Sequence, residues 1–147
     1  MREIKFRAWD KETKQLLIVN SLTLDFGLCD LWNGKPEDEG VARKLSDVNL
    51  MQYTGLKDRN GKEIFEGDVV RLGQVDEDSI MQNETFRNFK VVFGFPQEAH
   101  NGYPSCFYLH TLDKMKRSTA GAGCLFRRSW HSSEEVIGNI YENLELI

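Results

Sequence analysis

The sequence predicts a mostly-β protein with a small, barrel-like antiparallel sheet, and three observations carry that prediction. Gln52–Leu72 reads QYTGLKDRNGKEIFEGDVVRL, a hairpin in which the polar DRNGK loop holds Asn60-Gly61, a pair tolerant of positive φ. Apolar residues alternate with polar ones at Ile4, Phe6 and Ala8, and again at Phe89, Val91, Phe93 and Phe95, the period of half-buried strands. Twelve glycines spread along 147 residues fit short strands joined by tight turns.

Each element follows in order. Ile4–Trp9 is a strand, Asp10–Lys14 a polar turn, and Gln15–Asn20 the returning strand of a hairpin. Leu22, Leu24 and Phe26 continue the period of two, so this strand runs on or bends near Asn20–Ser21. From Gly27 to Glu39 the pattern dissolves into a loop punctuated by Asn33-Gly34 and Pro36, with Trp32 as its anchor to the core. Val41–Ser46 has room for a helical turn, and Val48–Tyr53 returns to strand. Ile64 and Phe65 resume apolar character, Glu66-Gly67-Asp68 makes a second tight turn, and Val69, Val70 and Leu72 enter a further strand. Gln74–Asn83 is an acidic excursion. Phe107–Leu112 and Leu125–Trp130 read as strands, and the Ser132–Glu135 spacing of a capping box predicts a brief helical turn before a closing strand at Val136–Tyr141. The organisation is then an N-terminal β-hairpin elaboration over 1–47 and a barrel-like domain over 48–147.

Composition narrows the function classes. A net charge of −4 gives no overall pull toward nucleic acid or anionic membrane. The charge is unevenly placed, however. Residues 76–84 carry four acids and no base, whereas 114–128 carry Lys114, Lys116, Arg117, Arg127 and Arg128 and no acid. Three widely spaced cysteines without a CxxC point to reduced thiols and a cytoplasmic compartment. The N-terminal MREIKFRAWDKETK has no apolar run resembling a signal peptide, and no 18-residue apolar stretch suggests a spanning helix.

Three stretches match a known pattern. They are Phe6-Arg7-Ala8-Trp9-Asp10, then Met51–Asp58 with Asn60–Val70, and Glu135-Val136-Ile137-Gly138-Asn139-Ile140-Tyr141-Glu142-Asn143. In that order they resemble the YopX family of phage and prophage proteins. Leu144 departs from the pattern, which has Pro after Asn143; Pro would hold Asn143 extended. The resemblance implies an SH3-like barrel, a bacterial host carrying phage or prophage, and homo-oligomerisation in some members. It implies no catalytic residue, and the matched positions read as turns and core.

Candidate chemistry is sparse. Cys106 and His110 would share a face of one strand, with His100 upstream, but no second ligand pair accompanies them. Ordinary core and surface roles are the simpler reading, so neither metal nor cofactor is expected. Cys124 has no nucleophile signature around it. Asp58 is a turn residue, Asp76–Asp78 a solvated run, and Ser118–Gly123 lacks the spacing of a phosphate loop. The expected function is therefore non-enzymatic. Trp9 and the apolar run Leu16–Val19 give the N-terminal hairpin two partly apolar faces, one for the core and one for a partner, whether a second copy or a host or phage protein. The alternative is nucleic-acid binding through Lys114, Lys116, Arg117, Arg127 and Arg128, with Phe107, Tyr108 and Trp130 as stacking surfaces.

Overall fold

The structure, a computed structural model, describes residues 3–74, 85–94, 106–112 and 134–147. Ten strands account for most of them: β1 (Phe6–Asp10), β2 (Gln15–Thr23), β3 (Leu28–Trp32), β4 (Val41–Lys44), β5 (Val48–Lys57), β6 (Glu63–Phe65), β7 (Asp68–Gln74), β8 (Thr85–Gly94), β9 (Cys106–Thr111) and β10 (Glu135–Asn139). They form two antiparallel sheets, ordered β4-β3-β2-β1-β5-β6 and β10-β7-β8-β9. The mostly-β expectation is met. Among the described residues the strands form no closed barrel, so the barrel expectation is met only in its coarser form, turn-linked antiparallel sheets. Among the described residues the helical turns are single 3-10 turns at Leu24–Phe26, Leu45–Asp47 and Leu144–Leu146.

The chain divides into two compact units, Met1–Gly55 and Leu56–Ile147. In the first, the hairpin β1–β2 pairs Ala8 with Leu17, and β1 pairs with β5 through Ala8 and Leu50. These residues face one side with Cys29, Leu31 and Val48 and make an apolar core, joined by Val19, Leu22, Val41 and Leu45. Full burial of a side chain such as Leu31 contributes about 2 kcal/mol. β2 bends where its register shifts between Val19 and Ser21, at the position foreseen from the sequence.

Three expectations for this unit are corrected. The stretch after Gly27 is not loop throughout, because Leu28–Trp32 forms β3. Cys29 and Leu31 point inward, but Leu28 and Trp32 on the other face are apolar too, which erases the alternation that marks a half-buried strand. Trp32 does hold the following loop, its indole N–H donating to the Lys35 carbonyl at 2.9 Å. Val41–Lys44 is strand β4 rather than a helical turn; four residues cannot nucleate a helix alone, and pairing with β3 decides. Leu24 and Phe26 leave the strand period. They sit in a 3-10 turn that ends on Gly27 at φ +62°, a left-handed conformation in which glycine carries no Cβ penalty.

The second unit has its own core of Ile64, Val70, Phe89, Val91 and Val136, with Leu56 and Leu72 packed against it. β7 lies between β8 and β10, so Val70 is opposite both Phe89 and Val136. The expected closing strand is β10, and its pairing is irregular between Val136 and Gly138. Glu135 belongs to this strand rather than to a helical turn, because pairing with Arg71 gives it an extended partner. Gln74, the expected start of the acidic excursion, ends β7; the rest of Gln74–Asn83 falls outside the described residues, as do Ser132, Ser133 and the strand expected at Leu125–Trp130.

Candidate functional site: the outer face of the N-terminal hairpin

Of the four buried acids among the described residues, Asp10, Asp58 and Asp68 belong to turns, and Glu134 directly precedes β10. Asp10 ends β1, and its Oδ1 accepts from the backbone N–H of Glu12 at 2.9 Å. Its Oδ2 accepts from Arg43 Nε at 2.9 Å, closing a fully buried carboxylate with a guanidinium. Burial pushes this carboxyl up. The backbone donors of Glu12 and Thr13, the Thr13 hydroxyl and Arg43 outweigh that and hold it below its ordinary value. Asp58 acts as the expected turn residue. One oxygen accepts from Asn60 N and Lys62 N, each at 2.8 Å, and the other from Val136 N on β10 at 3.0 Å. Burial opposes its charge too, and those three backbone donors with the nearby Lys62 hold it low. Asp68 Oδ2 accepts from Phe65 N at 2.8 Å across the second turn.

The C-terminal motif is equally architectural. Asn139 Oδ1 accepts from Tyr141 N and Glu142 N at 2.9 Å each, and Asn139 N donates to Asn143 Oδ1 at 3.2 Å. A Cβ at Gly138 would come within 2.8 Å of Asn143 Cγ and 2.9 Å of Leu146 Cδ1, so only glycine leaves room for this turn. Carboxylates held ionised by their own turns are poor general acids.

Other chemistry finds little footing among the described residues. They contain no group of three His, Cys, Asp or Glu side chains placed to hold a metal. Cys106 and His110 both lie on β9, opposite Gly94 and Lys90. His100 and Cys124 lie outside the described residues, as do Lys114, Lys116, Arg117, Arg127 and Arg128. A shallow cavity of 110 Å³ opens beside Asp10, Gln15, Asn33 and Glu39 over Leu17 and Leu31. It falls well short of the roughly 300 Å³ at which pockets for organic ligands begin. No described helix is long and apolar enough to cross a membrane.

What distinguishes this unit is the other face of its sheet. Register places Ile18 and Trp32 side by side on the face opposite Ala8, Leu17 and Leu31, with Arg7 next in the row and then Met51, which is buried, so this face opens to solvent on the β2–β3 side. Trp9 and Leu16 make the neighbouring outward pair. Further along, Asp30 stands between Ser21 and Ala42, and Leu28 between Thr23 and Lys44. Ile18 is 48% exposed and Leu28 37%. At the β2–β3 tip, Leu24 is 73% exposed and Phe26 78%. Four of the eight exposed large apolar side chains among the described residues thus lie on this one meander, the others being Ile4, Phe93, Leu144 and Ile147. The sequence marked Trp9 and Leu16–Val19 for such a role. It missed Leu24 and Phe26 because their spacing mimics a strand.

The molecule is therefore a mostly-β protein of turn-linked antiparallel strands, with an apolar outer face on its N-terminal meander. Residues 5–147 match the YopX protein family, and the chain belongs to it. It is similar to the crystal structure of protein EF1440 from Enterococcus faecalis, with 26% identity over 99% of each chain and a TM-score of 0.57. No curated protein matches it.

Proposed function

We propose that this chain is a non-enzymatic phage or prophage accessory protein that works in the bacterial cytoplasm as a self-assembling or protein-binding module. The observation that carries this reading is the outward apolar surface of Ile18, Leu24, Phe26 and Leu28 on a sheet whose opposite face already holds a complete core. Membership of the YopX family, whose resemblance implies a phage or prophage setting, supports this part of the reading. The SH3-like barrel belongs to the same reading, supported by the closely turned β5–β6–β7 segment. A photo-crosslinking residue placed at Phe26, with another at exposed Lys57 as control, tests the contact in host cells. A protein adduct formed from position 26 and not from 57 is expected. Equal or absent adducts from both positions would refute the reading.

The second reading is nucleic-acid binding through the five charges of 114–128, an acid-free stretch in an otherwise acidic chain. It requires affinity for DNA or RNA at low salt that falls as salt rises. Absence of binding at low salt rejects it.

A further inference from the structure

The cavity of 110 Å³ lies at one end of the first unit, where the β1–β2 turn and the β3–β4 connection come together. Its floor is apolar, Leu17, Leu31 and Val41, and its polar wall includes Asp10, Gln15 and Glu39. Among the described residues no lysine or arginine lines it. Arg43 already answers Asp10 from the other side. Glu39 and Gln15, by contrast, have no side-chain hydrogen bond or ion pair among the described residues. A carboxylate and an amide oxygen above a hydrocarbon floor suit an alkylammonium group, whose stem is apolar and whose head only donates. The volume equals about four waters of about 30 Å³ each, room for the end of one side chain.

Val41 opens β4, and β4 is the outer strand of its sheet. Leu45 N–H donates to the Gly27 carbonyl at 2.8 Å, one step beyond the Leu28–Lys44 pair. The antiparallel alternation therefore turns the backbone of Arg43 toward β3 and the N–H groups of Ala42 and Lys44 outward. An edge of the other sheet is closed: on β10, Val136 N–H is taken by Asp58, and Arg59 N–H takes the Glu134 carbonyl just before it. β4 has no such cover among the described residues; Arg43 Nη1 comes only to 3.4 Å from the Ala42 carbonyl.

We propose that β4 accepts an added strand from a different protein, an extended segment that pairs with Ala42 and Lys44 and lays a lysine opposite Val41, its ammonium at Glu39 in the cavity. This rests on the reading of the chain as a protein-binding module, but the surface is not that of Ile18, Leu24, Phe26 and Leu28. Strand addition draws affinity from main-chain hydrogen bonds and specificity from a side-chain pocket beside the edge, and β4 has both. Residues opposite each other on paired strands share a face, so a side chain opposite Val41 lies on the cavity side. A second base opposite Lys44 is disfavoured by like charge, which limits the segments that fit.

Titration of the isotope-labelled full chain with an alternating threonine–valine peptide bearing one central lysine tests this through amide chemical shifts. Saturable shifts are expected at Ala42 and Lys44 and around the cavity at Gln15 and Leu31. Affinity should be about tenfold above that of the counterpart with norleucine in place of lysine. Glu39→Gln, at an exposed position, should erase that preference. Ala42→Pro removes one outward N–H and should weaken both peptides about tenfold, with a melting midpoint near that of the wild type. Shifts absent from β4, a titration that does not saturate, or a lysine preference that survives Glu39→Gln would each overturn the assignment. Butylammonium is the free-amine arm, and binding as tight as that of the lysine peptide would overturn the added strand. The adduct from position 26 reports on the outer face alone, so either result can fail without the other.

Discussion

Asp58 offers the sharpest test of how this fold is held, because a single carboxylate gathers three backbone donors from two separate segments. Asp58→Ala removes acceptors for Asn60 N and Lys62 N in the β5–β6 loop and for Val136 N on β10. The loop donors belong to exposed residues and can turn to water, so their loss costs little. Val136 is buried, and its N–H would lose a bond to an ionised acceptor with no water to replace it. Hydrogen bonds to charged groups contribute roughly 1.5–3 kcal/mol each, and a stranded buried donor costs a similar amount. A total near 3 kcal/mol is expected, shown as a lower urea midpoint with an unchanged slope by far-ultraviolet circular dichroism. Asp58→Asn keeps one oxygen but loses the charge and should cost about half as much.

The pH dependence follows from the lowered Asp58 pKa. Its folded value lies below the ordinary 3.8, so the native state binds fewer protons than the unfolded chain. The contribution is fully present above the unfolded value and is lost as pH falls through the folded one. The stability gap between wild type and Asp58→Asn should therefore be constant near neutrality and shrink in acid below about pH 4. Asp10, also held low, is present in both proteins and cancels. A Asp58→Ala loss under about 0.5 kcal/mol, the size of an ordinary surface change, would refute this account, as would a gap that does not move with pH.

Three further outcomes are expected. Arg43→Met strands the fully buried Asp10 carboxylate and should cost about 2–3 kcal/mol, less than for a wholly buried pair because Arg43 is partly exposed; denaturant unfolding measures it. Gly138→Ala drives a methyl into Asn143 and Leu146 and should lower stability by about 1–3 kcal/mol, with hydrogen exchange accelerating first at Asn139–Glu142. Cys29 is buried, and desolvation, with Asp30 and Asp10 nearby, raises its thiol; peptide-resolved alkylation at mildly alkaline pH should leave it unmodified until the protein is denatured.

Much of the fold was legible where chemistry is local. Asn60-Gly61 and Glu66-Gly67-Asp68 specify turns through backbone freedom and short carboxylates, so β5, β6 and β7 could be delimited closely. Phe6–Asp10 and Phe89–Val92 alternate by burial because one face of each strand is covered, whereas Phe93, in step with Phe89 and Val91, is 46% exposed against the expected pattern. The strand β3 was hidden because it is apolar on both faces, and β4 because four residues carry too little pattern. Leu24 and Phe26 show the reverse error, a strand-like spacing in residues that the chain reversal at Gly27 turns outward.

By itself, the sequence determined the mostly-β class, the turns and the membership of the YopX family, because those depend on residue type at short spacing. Only the tertiary structure decided which sheet face is core and which is surface. That choice depends on register: Ile18 opposite Arg7 and Trp32 faces outward because Leu17 opposite Ala8 faces in. The same register set Asp30 beside Ala42 and Lys44 beside Leu28, residues twelve or more apart in the chain. A shift of one residue would have exchanged the two faces. Pairing across strands is long-range, and local spacing carries no record of it.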